Sequence, residues 1–287
     1  MKKKLDIEKI CLLLEEYSEF LKERIKDSTN KKITDDYFLT ELLVRFQFNI
    51  YGILSILPKF AENIEFKLPL SLILRSINSD ILTIFYLNSF ISPQDKELIG
   101  LKNEIMIFYK DYIRFIKDFG QEELNIVKNI SPEWSEYINK LENTINKHFE
   151  SYSDFYKEEN GKCKFKSNSE LRETTPAFYF LDLKSKNEPN NFITERYKYD
   201  RIKSISHDKF CGFAYLAFKY YSQYQHISSA TIELLYLDRN QLDDKFLSLT
   251  IENVLISTNL ILKNLLKNGF SDCISRYLEN LKNIVQS

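Results

Sequence analysis

Six glycines and six prolines in 287 residues leave few places where the chain can turn sharply, and the apolar residues between them recur at helical spacing rather than in alternation. A chain built this way folds as helices. The first is expected over roughly Asp6 to Asp27, with Ile7, Ile10, Leu13, Leu14, Tyr17 and Leu21 as its buried stripe. A second starts after Thr34, whose hydroxyl can cap the following amides; it carries Phe38, Leu42, Phe46 and Ile50 toward Leu57 and stops at Pro58. Pro69 opens a third, to about Phe90. Ser92 caps a fourth that continues to Gly120, and a further helix starts at Ser131 with proline in its first turn. Helix returns with "FITERYKYDRIKSI" and the long apolar "DKFCGFAYLAFKYYSQYQHISSATIELLYL". The last two helices cover approximately Gln241 to Lys267 and Ser271 to Val285, with the Gly269 turn between them. Only Lys157 to Asn191 loses the pattern: polar, lysine-rich and punctuated by turn residues, it reads as a long surface loop or an excursion packed over a face of the bundle. No repeat at solenoid periods is visible. The expected fold is all-α, an antiparallel multi-helix bundle forming a single helical domain over residues 1–287, with one irregular insertion at 157–191.

With 44% hydrophobic and 14% aromatic residues the chain can bury a large core. Lysine plus arginine (40) nearly balances aspartate plus glutamate (41), so no global field recruits nucleic acid or anionic lipid, and such a partner has to be held by a local patch. Cys11, Cys163, Cys211 and Cys273 lie far apart, without the paired spacing of a zinc site or a disulfide framework; reduced thiols in a cytoplasm are the simple reading. The basic start "MKKKLDIEKICLLLEEYSEF" admits acidic residues at once and reads as a helix, not an export signal. The most membrane-like stretch, "LPLSLILRSINSDILTIFYLNSFI", has Arg75, Asn78 and Asp80 at its centre, where a bilayer penalises them most. A soluble cytoplasmic protein without a transmembrane segment is expected.

Two polar interruptions of apolar helices are the candidate chemistry. In "KYYSQYQHISS", Lys219 to Ser229, Ser222 and His226 are four residues apart and share a helix face, flanked by Tyr221 and Tyr224. The plainer account has Ser222 bonding a carbonyl of the preceding turn and His226 capping the helix end. In "LILRSINSDILTIFYL", a buried Arg75 needs a partner. Arg75 shares a face with Ser79, and Ser76 with Asp80, whereas Arg75 and Asp80 sit roughly 140° apart. An interhelical ion pair, for example with Glu41 or Asp200, is the structural alternative. Because burying either cluster alone leaves polar groups unsatisfied, the economical arrangement brings Ser222 and His226 toward Arg75 and Asp80 as one partly buried site.

An arginine followed by Ser and then a carboxylate on an apolar helix, with a Tyr-x-x-Ser-type segment ending in His much later, resembles a widespread bacterial all-helical family described only as a domain of unknown function. That family is in turn distantly similar to the HEPN superfamily. The residues carrying the resemblance are "RSINSD", Arg75 to Asp80, and "YYSQYQHISS", Tyr220 to Ser229; the family pattern has its carboxylate four residues after the arginine, where this chain has Ser79, with Asp80 one place later. The resemblance implies metal-independent RNA cleavage, in bacteria commonly a toxin or antiviral defence activity. A histidine near neutral pKa moves the proton while an arginine stabilises charge on the scissile phosphate. HEPN ribonucleases also carry an Arg followed a few residues on by His. "RIKSISH", Arg201 to His207, has that spacing and is the alternative catalytic pair, with solvated helix-end residues as its plain reading.

Other features weigh less. His148 reads as a helix-surface residue, and "ERYKYDRIK" as either a basic aromatic face for RNA or a tyrosine-rich amphipathic helix. There is no P-loop, Rossmann glycine fingerprint, HExxH or GxSxG, which disfavours those routes to triphosphate hydrolysis, hydride transfer, zinc proteolysis and serine hydrolysis. The adjacent acidic pairs Asp35/Asp36, Glu122/Glu123 and Asp243/Asp244 point apart on a helix and make poor metal sites, so no cofactor or metal is expected. Three function classes stay open. The first is an HEPN-like ribonuclease with Arg75, Asp80, Ser222 and His226 at its site. The others are a non-catalytic helical interaction module in which the same cluster fixes helix register, and a small-ligand sensor with a tyrosine-lined pocket. The partners in view are RNA or a partner protein, not a membrane, and self-association is open.

Overall fold

The computed structural model describes residues 5–29, 37–91, 99–167, 169–171, 193–205, 209–225, 241–266 and 271–286. The protein is all-α apart from one small hairpin. The helices are α1 (Ile7–Thr29), α2 (Tyr37–Glu62), α3 (Lys67–Asn88), α4 (Ile99–Ile130), α5 (Ser135–Ser151), α6 (Glu195–Ile205), α7 (Lys209–Ser222), α8 (Gln241–Leu266) and α9 (Ser271–Gln286); the strands are β1 (Tyr156–Glu159) and β2 (Lys162–Phe165). The chain divides into two compact units, Met1–Ser89 with Thr194–Ser287 and, between them in sequence, Phe90–Ile193.

The first unit is built around α3, which packs against α2, α6, α7 and α8. Its burial explains its composition: Leu70, Leu74, Ile77, Ile81, Leu82, Ile84, Phe85 and Leu87 are buried all round the helix, as a central helix requires. This helix and α8 are long and apolar enough to cross a membrane by length and composition alone, but most of each such stretch is buried inside the protein. Around them, α1 packs on α2 and α9. The α1–α9 contact is an aromatic triad of Tyr17, Phe20 and Tyr277, with Tyr17 and Tyr277 edge-on at 5.3 Å. Gly52 lets α2 approach α3, since a Cβ there would lie 2.9 Å from Ile73 Cδ1.

Pro58 does not end α2. The helix runs on to Glu62 and closes where the Asn63 side chain caps the 3-10 turn Ile64–Phe66, accepting from the Glu65 amide at 2.9 Å. Pro69 lies in the first turn of α3, where its missing N–H is not needed. The Ser92 cap lies outside the described residues.

In the second unit α5 folds back on α4, joined by Lys128 to Glu142 at 2.6 Å and Tyr137 to Glu123 at 2.6 Å. Helix α4 passes through Gly120 and ends ten residues later, at Ile130; one helical glycine costs only about 1 kcal/mol. His148 is half-buried against Tyr152, and burial holds its imidazole below the usual range. Residues 157–165 of the expected irregular insertion fall within an antiparallel hairpin pairing Tyr156 with Phe165 and Glu159 with Lys162. Its turn is Asn160-Gly161, both at positive φ (54° and 70°), the conformation a two-residue hairpin turn demands. Ser167 and Glu170 then form a reciprocal cap, each side chain accepting from the other's amide, and Glu170 is also bonded by Lys157. The Lys157 ammonium and these Ser167 bonds pull the Glu170 carboxyl down to about 2. Residues 172–192 lie outside the described set.

Candidate functional site

Helix α3 carries a polar seam through an otherwise apolar surface because Arg75, Ser79 and Thr83 repeat every four residues and so share one side. Helices α6 and α7 supply the partners. Arg75 Nε donates to Ser222 Oγ at 3.2 Å, with its guanidinium over the Phe218 ring at 5.0 Å. Ser79 Oγ donates to Glu195 Oε1 at 2.7 Å. Lys198, almost fully buried, donates to Thr83 Oγ1 at 2.9 Å and lies 3.6 Å from Glu195. Burial opposes the charge on Glu195, yet the Lys198 ammonium and the Ser79 hydroxyl outweigh it and hold the carboxyl below the usual range.

Asp80 points elsewhere. It faces α2, where Arg45 donates to both its oxygens, at 3.0 and 2.9 Å. Burial raises its carboxyl above the usual range against the opposing pull of Arg45 and Lys198.

A second cluster lies at the first turn of α3. Lys67 and Asp243 form an ion pair at 3.1 Å with side chains only 2% and 7% exposed. Asp243 also accepts from Tyr220 at 2.7 Å, and Tyr224 donates to Tyr220 at 3.3 Å. Asp243 sits in the first turn of α8, where the helix dipole favours a carboxylate. Burial pushes the Tyr224 phenol up to about 12 and the Tyr220 and Tyr221 phenols up as well, so all three stay neutral, and Tyr220 and Tyr224 act as donors.

Arg75 and Ser222, 147 residues apart, are therefore brought together, while Asp80 is taken by Arg45. Ser222 also donates to the Phe218 carbonyl at 2.6 Å, the plainer role expected of it. Asp200, one suggested partner of Arg75, is bonded by Arg196 at 2.6 Å. His226 and His207 lie outside the described residues; Arg201, the partner proposed for His207, is half-buried on α6. Among the described residues no three His, Cys, Asp or Glu side chains converge as metal ligands. Sequence reasoning missed Arg45, Glu195, Lys198 and the Lys67–Asp243 pair. Arg45 carried a usable signal, a cation inside the apolar "LLVRFQF" just as Arg75 is inside "LILRS". Lys198 and Glu195 were hidden by the polar neighbours in "ERYKYDR". Comparison with known protein families, with curated proteins and with solved structures returned no match.

Proposed function

We propose that the protein is a non-catalytic helical interaction module, acting in a cytoplasm, whose α3 seam fixes the register of the first unit. One observation carries this reading: the described members of the predicted catalytic set are already engaged. Asp80 accepts two bonds from Arg45, and Ser222 is shared between Arg75 and a backbone carbonyl. Groups held this way specify packing. Arg75→Leu and Arg45→Ala should each lower the melting temperature, and the parent protein should leave single-stranded RNA intact without added metal. RNA cleavage by the parent that vanishes in Arg75→Leu with unchanged melting would overturn the reading.

A second reading, an HEPN-like ribonuclease of a toxin or antiviral defence system, draws support from Arg75. Its guanidinium is only half-buried and is bonded to Ser222, four residues before His226. On that reading His226→Ala abolishes RNA cleavage while helicity stays unchanged, with Arg201 and His207 as the fallback pair if cleavage survives.

A further inference from the structure

Within the second unit, an apolar stripe is left uncovered by the unit's other described residues. On α4, Phe115 is 64% exposed, Phe119 62%, Ile126 48% and Ile130 75%; Trp134, past the helix end, is 55% exposed with its ring edge-on to Tyr137. At 100° per residue, the four helical positions fall within about 60° of arc, on the side away from α5, and span about 22 Å. Isolated exposed apolar residues are ordinary, but a contiguous stripe of large ones marks a binding surface.

Charge says what kind of occupant fits. By the same count Glu122 sits just outside the arc, about 20° beyond Phe115 and midway along the stripe's length, is exposed, and has no partner among the described residues; Asp118 lies on the same flank, about 60° from that edge, where Arg114 approaches it at 3.4 Å and Lys117 at 3.5 Å. The α4 cations Lys117 and Lys128 fall on the opposite side of the helix, where Lys128 reaches Glu142 on α5 and Lys117 lies over the Phe165 ring. The exposed face is thus apolar with carboxylates. A second copy fits badly: the antiparallel register that sets Phe115 against Ile130 and Phe119 against Ile126 also sets Glu122 against Glu123, and a parallel one sets Glu122 against itself. An anionic lipid surface would meet the same carboxylates.

We infer that the exposed face of α4 docks an amphipathic helix of a partner protein, about four turns long, with an apolar stripe and a central lysine or arginine that meets Glu122. The inference rests on the interaction-module reading and names its partner class. Two model peptides test it, a leucine-rich amphipathic helix with lysines on its polar face and the same helix with glutamates instead. Binding is read by labelled-peptide anisotropy and by fluorescence of Trp134, the sole tryptophan. The lysine peptide should bind saturably to the full chain and the glutamate peptide should not. The Phe119→Ser/Ile126→Ser double variant should weaken binding about tenfold or more, and Glu122→Gln about threefold, both with unchanged circular dichroism and melting. Equal binding by the double variant would reduce the effect to bulk charge and sink the inference. So would absence of binding, or a concentration-dependent dimer that the double variant abolishes. These readouts do not touch α3, so failure here leaves the polar-lock reading standing. RNA cleavage dependent on Arg75 would remove that reading without altering peptide binding.

Discussion

Asp80 and Glu195 occupy neighbouring positions in one network and should respond to pH in opposite directions. The folded-state pKa of Asp80 is raised above its ordinary value of 3.8, so its ionisation costs stability as pH rises through that value and up to the folded one. Glu195 is lowered from 4.5, so the stability it contributes is present above that value and is lost as pH falls through the folded one. Asp80→Asn should therefore gain on the parent as pH rises from about 3 to 6, and Glu195→Gln should lose on it. Urea midpoints across that range measure both slopes, and slopes of the same sign would contradict the assigned environments. Removing the guanidinium instead leaves the Asp80 carboxylate buried without its bidentate partner. Breaking a buried pair typically costs about 3–5 kcal/mol. The Arg45 side chain is 55% exposed, which lets water replace part of the interaction, so Arg45→Ala should destabilise by about 2 kcal/mol at neutral pH. A chemical-denaturation difference below about 0.5 kcal/mol would place Asp80 in better contact with solvent than its burial implies.

Where α2 meets α3, two terms of similar size compete at Gly52. Alanine in a helix interior is favoured over glycine by about 1 kcal/mol, but its Cβ would stand 2.9 Å from Ile73 Cδ1. Because that atom is the end of a flexible side chain, the clash is relieved by a rotamer shift costing about the same. Gly52→Ala should thus be close to neutral, and in an Ile73→Val background, where Cδ1 is gone, it should stabilise by up to about 1 kcal/mol. A double-mutant cycle that shows no coupling would mean the two helices do not approach as closely as described. The same distinction between local and long-range terms explains what could be read from the chain. Helices α1 and α9 were legible to within a few residues because each carries a clear apolar stripe, and α8 because a long apolar run ends at the Gly269 turn. Pro58 and Gly120 misled because each costs a helix a bounded amount that tertiary packing can outweigh. The Asn160-Gly161 hairpin was legible in principle, but the polar residues around it masked an intact turn signal. In the seam, the Arg75 and Ser222 anomalies pointed to one another. The partners Arg45, Glu195 and Lys198 could not be assigned, since pairing across 35 to 116 residues depends on how the helices pack.

At the scale of the whole chain, both termini belong to the first unit, and the second enters after Ser89 and leaves before Thr194. The core of the first unit is drawn from both of its segments: α3 packs on α2 from one and on α6, α7 and α8 from the other. Two of its ion pairs also lie within the unit, Arg45 with Asp80 and Lys67 with Asp243. It should therefore fold without the insertion, provided the cut ends can be joined. Ser79 contacts Glu195 and Thr83 contacts Lys198, so α6 starts beside the middle of α3 and runs in the same direction. The join has to return from Ser89 to the level of Ser79, ten residues at 1.5 Å each, or about 15 Å. An extended residue covers at most about 3.5 Å, and a flexible chain needs slack, so a Gly/Ser linker of about ten residues suffices where about three would strain the join. The protein with residues 90–193 replaced by the longer linker should be helical, monomeric and cooperative in thermal unfolding, and should keep the pH slopes of Asp80→Asn and Glu195→Gln. The short-linker version should melt earlier. A long-linker protein that is soluble but unfolds without cooperativity would show that the first unit depends on the second for its packing.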